Sequence, residues 1–79
     1  MLNRYLISLL LQIDKEGFIT RKTQKVYLSS IGFFIGMKEL KKMGLIYCDG
    51  VDNKNFKIWK LTEKGKEVVK HLKRIEELV

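Results

Sequence analysis

The stretch Lys38-Glu39-Leu40-Lys41-Lys42-Met43-Gly44-Leu45-Ile46 changes its periodicity half-way along. Upstream of Gly44, the apolar residues Phe33, Met37 and Leu40 recur at i, i+4 and i+7, the spacing of one face of a helix. Downstream the period drops to two, and Leu45–Cys48 reads as a strand. Gly44 stands at the junction as the helix C-cap, because it tolerates the positive φ needed to leave a helix sharply. The spacing predicts a helix over 31–43, with Ser29 and Ser30 offering its N-cap.

Beyond the first strand, Asp49, Gly50, Asp52, Asn53 and Asn55 make a polar, turn-rich loop, and Phe56–Leu61 reads as a second strand. The pair is a hairpin with a long tip, and Leu45, Trp59 and Leu61 are expected to face the helices from it. Thr62 caps a last helix running to about Leu78, with Glu63 in its first turn and Lys70, Lys73 and Arg74 further along. Val68, Leu72, Ile75 and Val79 form a narrow seam on that helix, suited to pairing with another helix.

Towards the N-terminus, Leu2, Leu6, Leu9 and Ile13 stripe an amphipathic helix, with Tyr5 and Leu10 beside them and Gly17 at its end. Ile7 and Leu11 form a second apolar row on another face. One row is enough for a small core, so the second points to a partner subunit. Phe18–Thr20 reads as a short extended piece. Thr20 is then an N-cap for a second helix, Arg21 to about Tyr27, buried through Val26, Tyr27 and Leu28. About three residues separate it from the helix over 31–43, which is helix-turn-helix spacing.

A chain of 79 residues, 46% of them hydrophobic, has room for one domain over 1–79 with one modest core, and Met1 reads as the start of a complete small protein. Leu6–Leu11 is far shorter than the roughly 20 residues of a membrane span, so a cytoplasmic protein without membrane attachment is expected. Cys48, the only cysteine, can form no intrachain disulfide and reads as a half-buried strand residue. With one histidine, His71, it cannot build the usual zinc site. No metal or other cofactor is expected. Nor is catalysis: no nucleophile–base pair is recognisable, and Gly32-x-x-x-Gly36 lacks the Gly-Lys-Ser/Thr ending of a phosphate-binding loop. Sixteen Lys/Arg against nine Asp/Glu give a net charge of +7, which favours a polyanionic partner. The cations fall in groups: Arg21, Lys22 and Lys25; Lys38, Lys41 and Lys42; Lys54, Lys57 and Lys60.

The order of elements, with Lys38–Ile46 and the stretch Trp59-Lys60-Leu61-Thr62-Glu63-Lys64-Gly65, resembles the winged-helix family. The first stretch is similar to the family's end of the recognition helix. The second is similar to the aromatic-x-Leu-Thr-x-x-Gly segment that closes the wing and opens the final helix. Fourteen residues lie between Gly44 and Trp59, room for one hairpin. MarR-like regulators and small winged-helix proteins of archaea and their viruses share the pattern. The resemblance implies an α+β winged helix-turn-helix fold, in the order helix-strand-helix-helix-strand-strand-helix. It implies a regulator of transcription that docks its third helix in the major groove of double-stranded DNA and lays the wing on the adjacent backbone. On that footing the DNA-contacting residues are Arg21, Lys22, Lys25, Ser29, Ser30, Gly32, Phe34, Lys38, Lys41, Lys42, Lys54 and Lys57. Ile7, Leu11, Val68, Leu72, Ile75 and Val79 would join two copies into a homodimer, with two recognition helices about one DNA turn apart.

One segment departs from the family pattern. Where polar base-reading residues are usual, this chain has Ser29-Ser30-Ile31-Gly32-Phe33-Phe34-Ile35-Gly36, and Phe34 and Ile35 cannot both be buried if Phe33 and Met37 are. Three explanations stand. Gly32 and Gly36 let the backbone approach the groove, with Phe34 on thymine methyls; the helix register is off by one; or the surface binds protein. The last gives the alternative function, a protein-interaction module anchored by Phe34 and Ile35.

Overall fold

The computed structural model describes residues 2–78. Its elements, in chain order, are α1 (Arg4–Glu16), α2 (Ser30–Lys42), β1 (Ile46–Val51), β2 (Lys57–Leu61) and α3 (Glu63–Leu78). Three helices therefore pack with the root of a two-stranded antiparallel hairpin, the α+β winged-helix arrangement.

Local chemistry sets the boundaries. Asn3 caps α1, its side chain accepting from the Leu6 amide at 2.9 Å, and Gly17 ends the helix at φ +87° with its amide donating to the Ile13 carbonyl. Ser29 caps α2 by accepting from the Gly32 amide. At the other end the Leu45 amide donates to the Leu40 carbonyl and the Gly44 amide to the Lys41 carbonyl, with Gly44 at φ +76°. That pair of bonds is a Schellman motif, and it turns the chain directly into β1.

α1 contributes Leu6, Leu9, Leu10 and Ile13 to the core, and α2 contributes Phe33, Met37 and Leu40. Leu45, Ile46, Trp59 and Leu61 close it from the hairpin, and Val69 from α3. The predicted inward register of α2 is thus the observed one. Cys48 is exposed, not half-buried, because β1 turns only Ile46 into the core; its thiol donates to the Gly50 carbonyl.

β2 is the central strand of a slightly larger assembly. Ile19 exchanges two backbone hydrogen bonds of 2.9 Å with Trp59, so the expected extended piece at 18–20 survives as a single isolated bridge. Between the pairs Cys48↔Trp59 and Val51↔Lys57, β1 carries one residue more than β2. Gly50, at φ +82°, absorbs this bulge.

The expected helix from Arg21 to Tyr27 is absent, and a turn and loop take its place. Thr20 does start a turn: its carbonyl accepts from the amides of Thr23 and Gln24. The turn stops because side chains take the backbone groups that a helix would need. The Gln12 amide group donates to the Thr23 carbonyl and accepts from the Lys25 amide, both at 2.7 Å. Gln24 likewise donates to the Leu28 carbonyl and accepts from its amide. Tyr27 sits at φ +59° and is 92% exposed, so of the three residues expected to bury this segment only Val26 and Leu28 pack against the core. A seven-residue helix containing Thr23 and Val26 has little intrinsic stability to set against these bonds.

Candidate nucleic-acid interface

α2 buries one face, so the opposite stripe must point outward. It carries Ile31, Phe34, Ile35, Lys38, Glu39 and Lys42, all exposed: an apolar first half followed by a charged second half of two lysines and one glutamate. Beside it the wing rises from Leu45. Asp52 shapes the wing tip: its carboxylate accepts from the amides of Lys54 and Phe56 at 2.8 and 2.9 Å, and its backbone pairs with Phe56 and Asn55. This side-chain turn leaves Lys54 and Lys57 exposed on the hairpin.

Between α2 and the wing lies an open groove of about 370 Å3. Phe33, Phe34, Met37, Phe56 and Trp59 supply its apolar surface, and Arg21, Lys38, Lys41 and Lys57 supply its charge. No carboxylate lines it. Arg21 ties its two walls together. Its guanidinium donates to the Ser30 hydroxyl at 2.9 Å and stacks over the Phe56 ring, 4.9 Å from the centroid. The Lys22 ammonium approaches the same ring at 5.7 Å.

Of the residues expected to touch DNA, the fold brings Arg21, Ser30, Phe34, Lys38, Lys41 and Lys57 around this one groove. Lys22 joins them through Phe56, Lys42 extends the outer stripe of α2, Lys54 occupies the wing tip, and Ser29 is the helix cap. Two others sit apart. Lys25 is drawn to Glu16 at 2.6 Å; the hydrogen bond between them holds the Glu16 carboxyl below, and the Lys25 ammonium above, its ordinary range. A Cβ on Gly32 would meet Ser29 Oγ at 3.2 Å and the Leu28 side chain, so Gly32 faces the preceding loop. Gly36 is buried against Leu9 and Leu6 of α1; its smallness serves helix packing, not approach to a groove.

Phe56 and Ile31 belong to this surface and were not foreseen in it. Ile31 had a signal, since it lies three and four residues before Phe34 and Ile35. Phe56 had none, because its role depends on an arginine 35 residues earlier. Lys60 points elsewhere: it pairs with Asp49 at 2.7 Å, and that bond raises its pKa.

The expected subunit-facing rows are partly spent within the chain. Leu11, Val68 and Leu72 pack at the edge of the core, Ile7 is half-buried, and α3 buries Val69 and Gly65. Ile75 remains 59% exposed, and Val79 lies outside the described residues. Among the described residues no helix is long and apolar enough to cross a membrane, and no group of three His, Cys, Asp or Glu is placed to hold a metal.

No significant match is found among curated proteins or solved structures. The family comparison, by contrast, spans the molecule: the model of the ArnR1-like winged-helix domain matches residues 2–79. With its three helices and antiparallel hairpin, the chain belongs to the ArnR1-like winged-helix domain family.

Proposed function

We propose that residues 1–79 act as one cytoplasmic, non-enzymatic unit that binds double-stranded DNA and regulates transcription. In this reading α2 enters the major groove and the wing lies on the adjacent backbone. One feature carries it: four cations from the loop, α2 and the wing ring a single open groove without a carboxylate among them. Side chains on separate elements but one face are what a phosphate backbone requires, and such contacts supply affinity more than sequence choice. In the same reading two copies pair through the outer faces of α1 and α3, where Ile75 is exposed and Ile7 half-buried.

Titration of a labelled duplex into the protein at several salt concentrations tests this. With Arg21, Lys38, Lys41, Lys42, Lys54 and Lys57 on phosphates, log K against log salt should fall with a slope of about −5, roughly a thousandfold loss between 50 and 200 mM. Absence of binding at the lowest salt defeats the proposal. It would favour the second reading, a protein-interaction module, which the exposure of Phe34 and Ile35 at 64% and 55% keeps in play.

A further inference from the structure

We infer that α2 selects its DNA by the C5-methyl groups of thymine and not by hydrogen bonds to base edges; this rests on the DNA-binding reading above. The N-terminal half of a recognition helix is the part that meets bases. In α2 that half presents Ile31, Phe34 and Ile35, which are 73%, 64% and 55% exposed. The two hydroxyls nearby already accept within the chain, Ser29 Oγ from the Gly32 amide and Ser30 Oγ from Arg21, so each has little beyond its own O–H to offer a base, against three bulky apolar side chains.

The surroundings name the occupant. Lys38, Lys41 and Lys42 continue the same helix around one carboxylate, Glu39, and Arg21 flanks its start, so the apolar stripe sits inside a frame of net positive charge. A polyanion matches the frame, and within it something apolar must match the stripe. In the major groove the base edges offer donors, acceptors and one apolar group, the thymine methyl. Three bulky hydrocarbon side chains in that groove therefore read methyl positions. They favour A·T pairs without needing Asn, Gln or Arg.

The experiment compares a labelled 20-base-pair duplex of alternating A·T with one carrying deoxyuridine in place of every thymine. Pairing and phosphate charge are the same in both, and only the methyls are missing. The uracil duplex should bind about fourfold more weakly for each methyl contacted, tenfold or more if two are covered. Placing 5-methylcytosine in an alternating G·C duplex should tighten binding. Ile31→Ala, Phe34→Ala and Ile35→Ala remove exposed side chains, so the fold is kept, as circular dichroism will verify. Together they should bring the thymine/uracil ratio to one while leaving the salt slope unchanged. Equal affinity for the thymine and uracil duplexes overturns methyl reading and leaves DNA binding standing. No salt-dependent binding to any duplex overturns both, and turns the apolar stripe towards a protein partner.

Discussion

Gly65 occupies a position where a methyl group has nowhere to go. A Cβ there would lie 2.0 Å from the Leu45 carbonyl oxygen, which is held in place by the Thr62 amide at 3.0 Å. Thr62 completes the joint: its hydroxyl donates to the Gly44 carbonyl and accepts from the Gly65 amide. Lys64 adds a bond to the Met43 carbonyl at 2.9 Å. The two stretches that carry the winged-helix resemblance thus meet at a single corner, where α2, the wing and α3 are fastened together. Gly65→Ala gains up to about 1 kcal/mol of helix propensity but must displace backbone, so the clash wins. A net loss of about 2–3 kcal/mol is expected, read as a fall of roughly 10–20 °C in Tm. A rise in Tm would mean that α3 does not approach Leu45 this closely.

Gln12 poses the same kind of question. It looks like a surface residue in the sequence, yet it is 8% exposed and bonds the loop at two points. Gln12→Leu leaves the Thr23 carbonyl and the Lys25 amide without those partners, and should cost about 1–3 kcal/mol. Hydrogen exchange should show it as faster exchange at Lys25, with the core helices unaffected until global unfolding.

At the scale of elements, what could be read in advance was whatever depends on near neighbours. The register of α2 follows from Phe33, Met37 and Leu40, its exit from Gly44, and the cap of α3 from Thr62. The helix proposed over 21–27 failed because its competitor, Gln12, belongs to a different element, and no local pattern reports a side chain arriving from nine or more residues away. The interface divides along the same line. Each basic residue of the groove was visible singly, but the wall that Arg21 builds between Ser30 and Phe56 was not. If α2 is the DNA-facing element, alanine at Lys38, Lys41 and Lys42 together should weaken binding to every duplex alike and flatten the salt slope by about 2 to 3. A loss confined to one sequence would place these lysines on bases instead.

Across the whole molecule, the longest dimension is 40 Å against 24 and 21 Å for the others. α3 helps to set that length: after Val69 no described residue is fully buried, and the 16-residue helix spans about 24 Å. Its exposed Ile75, above half-buried Leu72 and Val68, and the neighbouring row of Ile7 and Leu11, are where a second copy would pack. Ile75→Glu should therefore convert a dimer to single chains in sedimentation measurements without altering the circular dichroism spectrum, because the residue is absent from the chain's own core. A wild-type chain that sediments as a monomer at high concentration removes the dimer from the proposal.

The hairpin has unequal support along its length. Its root is bolted to two helices at the Gly44–Gly65 corner and to Ile19 through Trp59, whereas beyond the Gly50 bulge its outside support comes from the preceding loop, through Arg21 stacked on Phe56 and bonded to Ser30. A beam clamped at one end bends at its first weak section. Arg21 is the prop that keeps the tip carrying Lys54 and Lys57 from bending there, so Arg21→Ala should free it to flex about Gly50 like a finger at the knuckle. If the wing lies on a phosphate backbone as proposed, the distance it can span between neighbouring phosphates is then set by that prop and pivot, with the helical scaffold left undeformed.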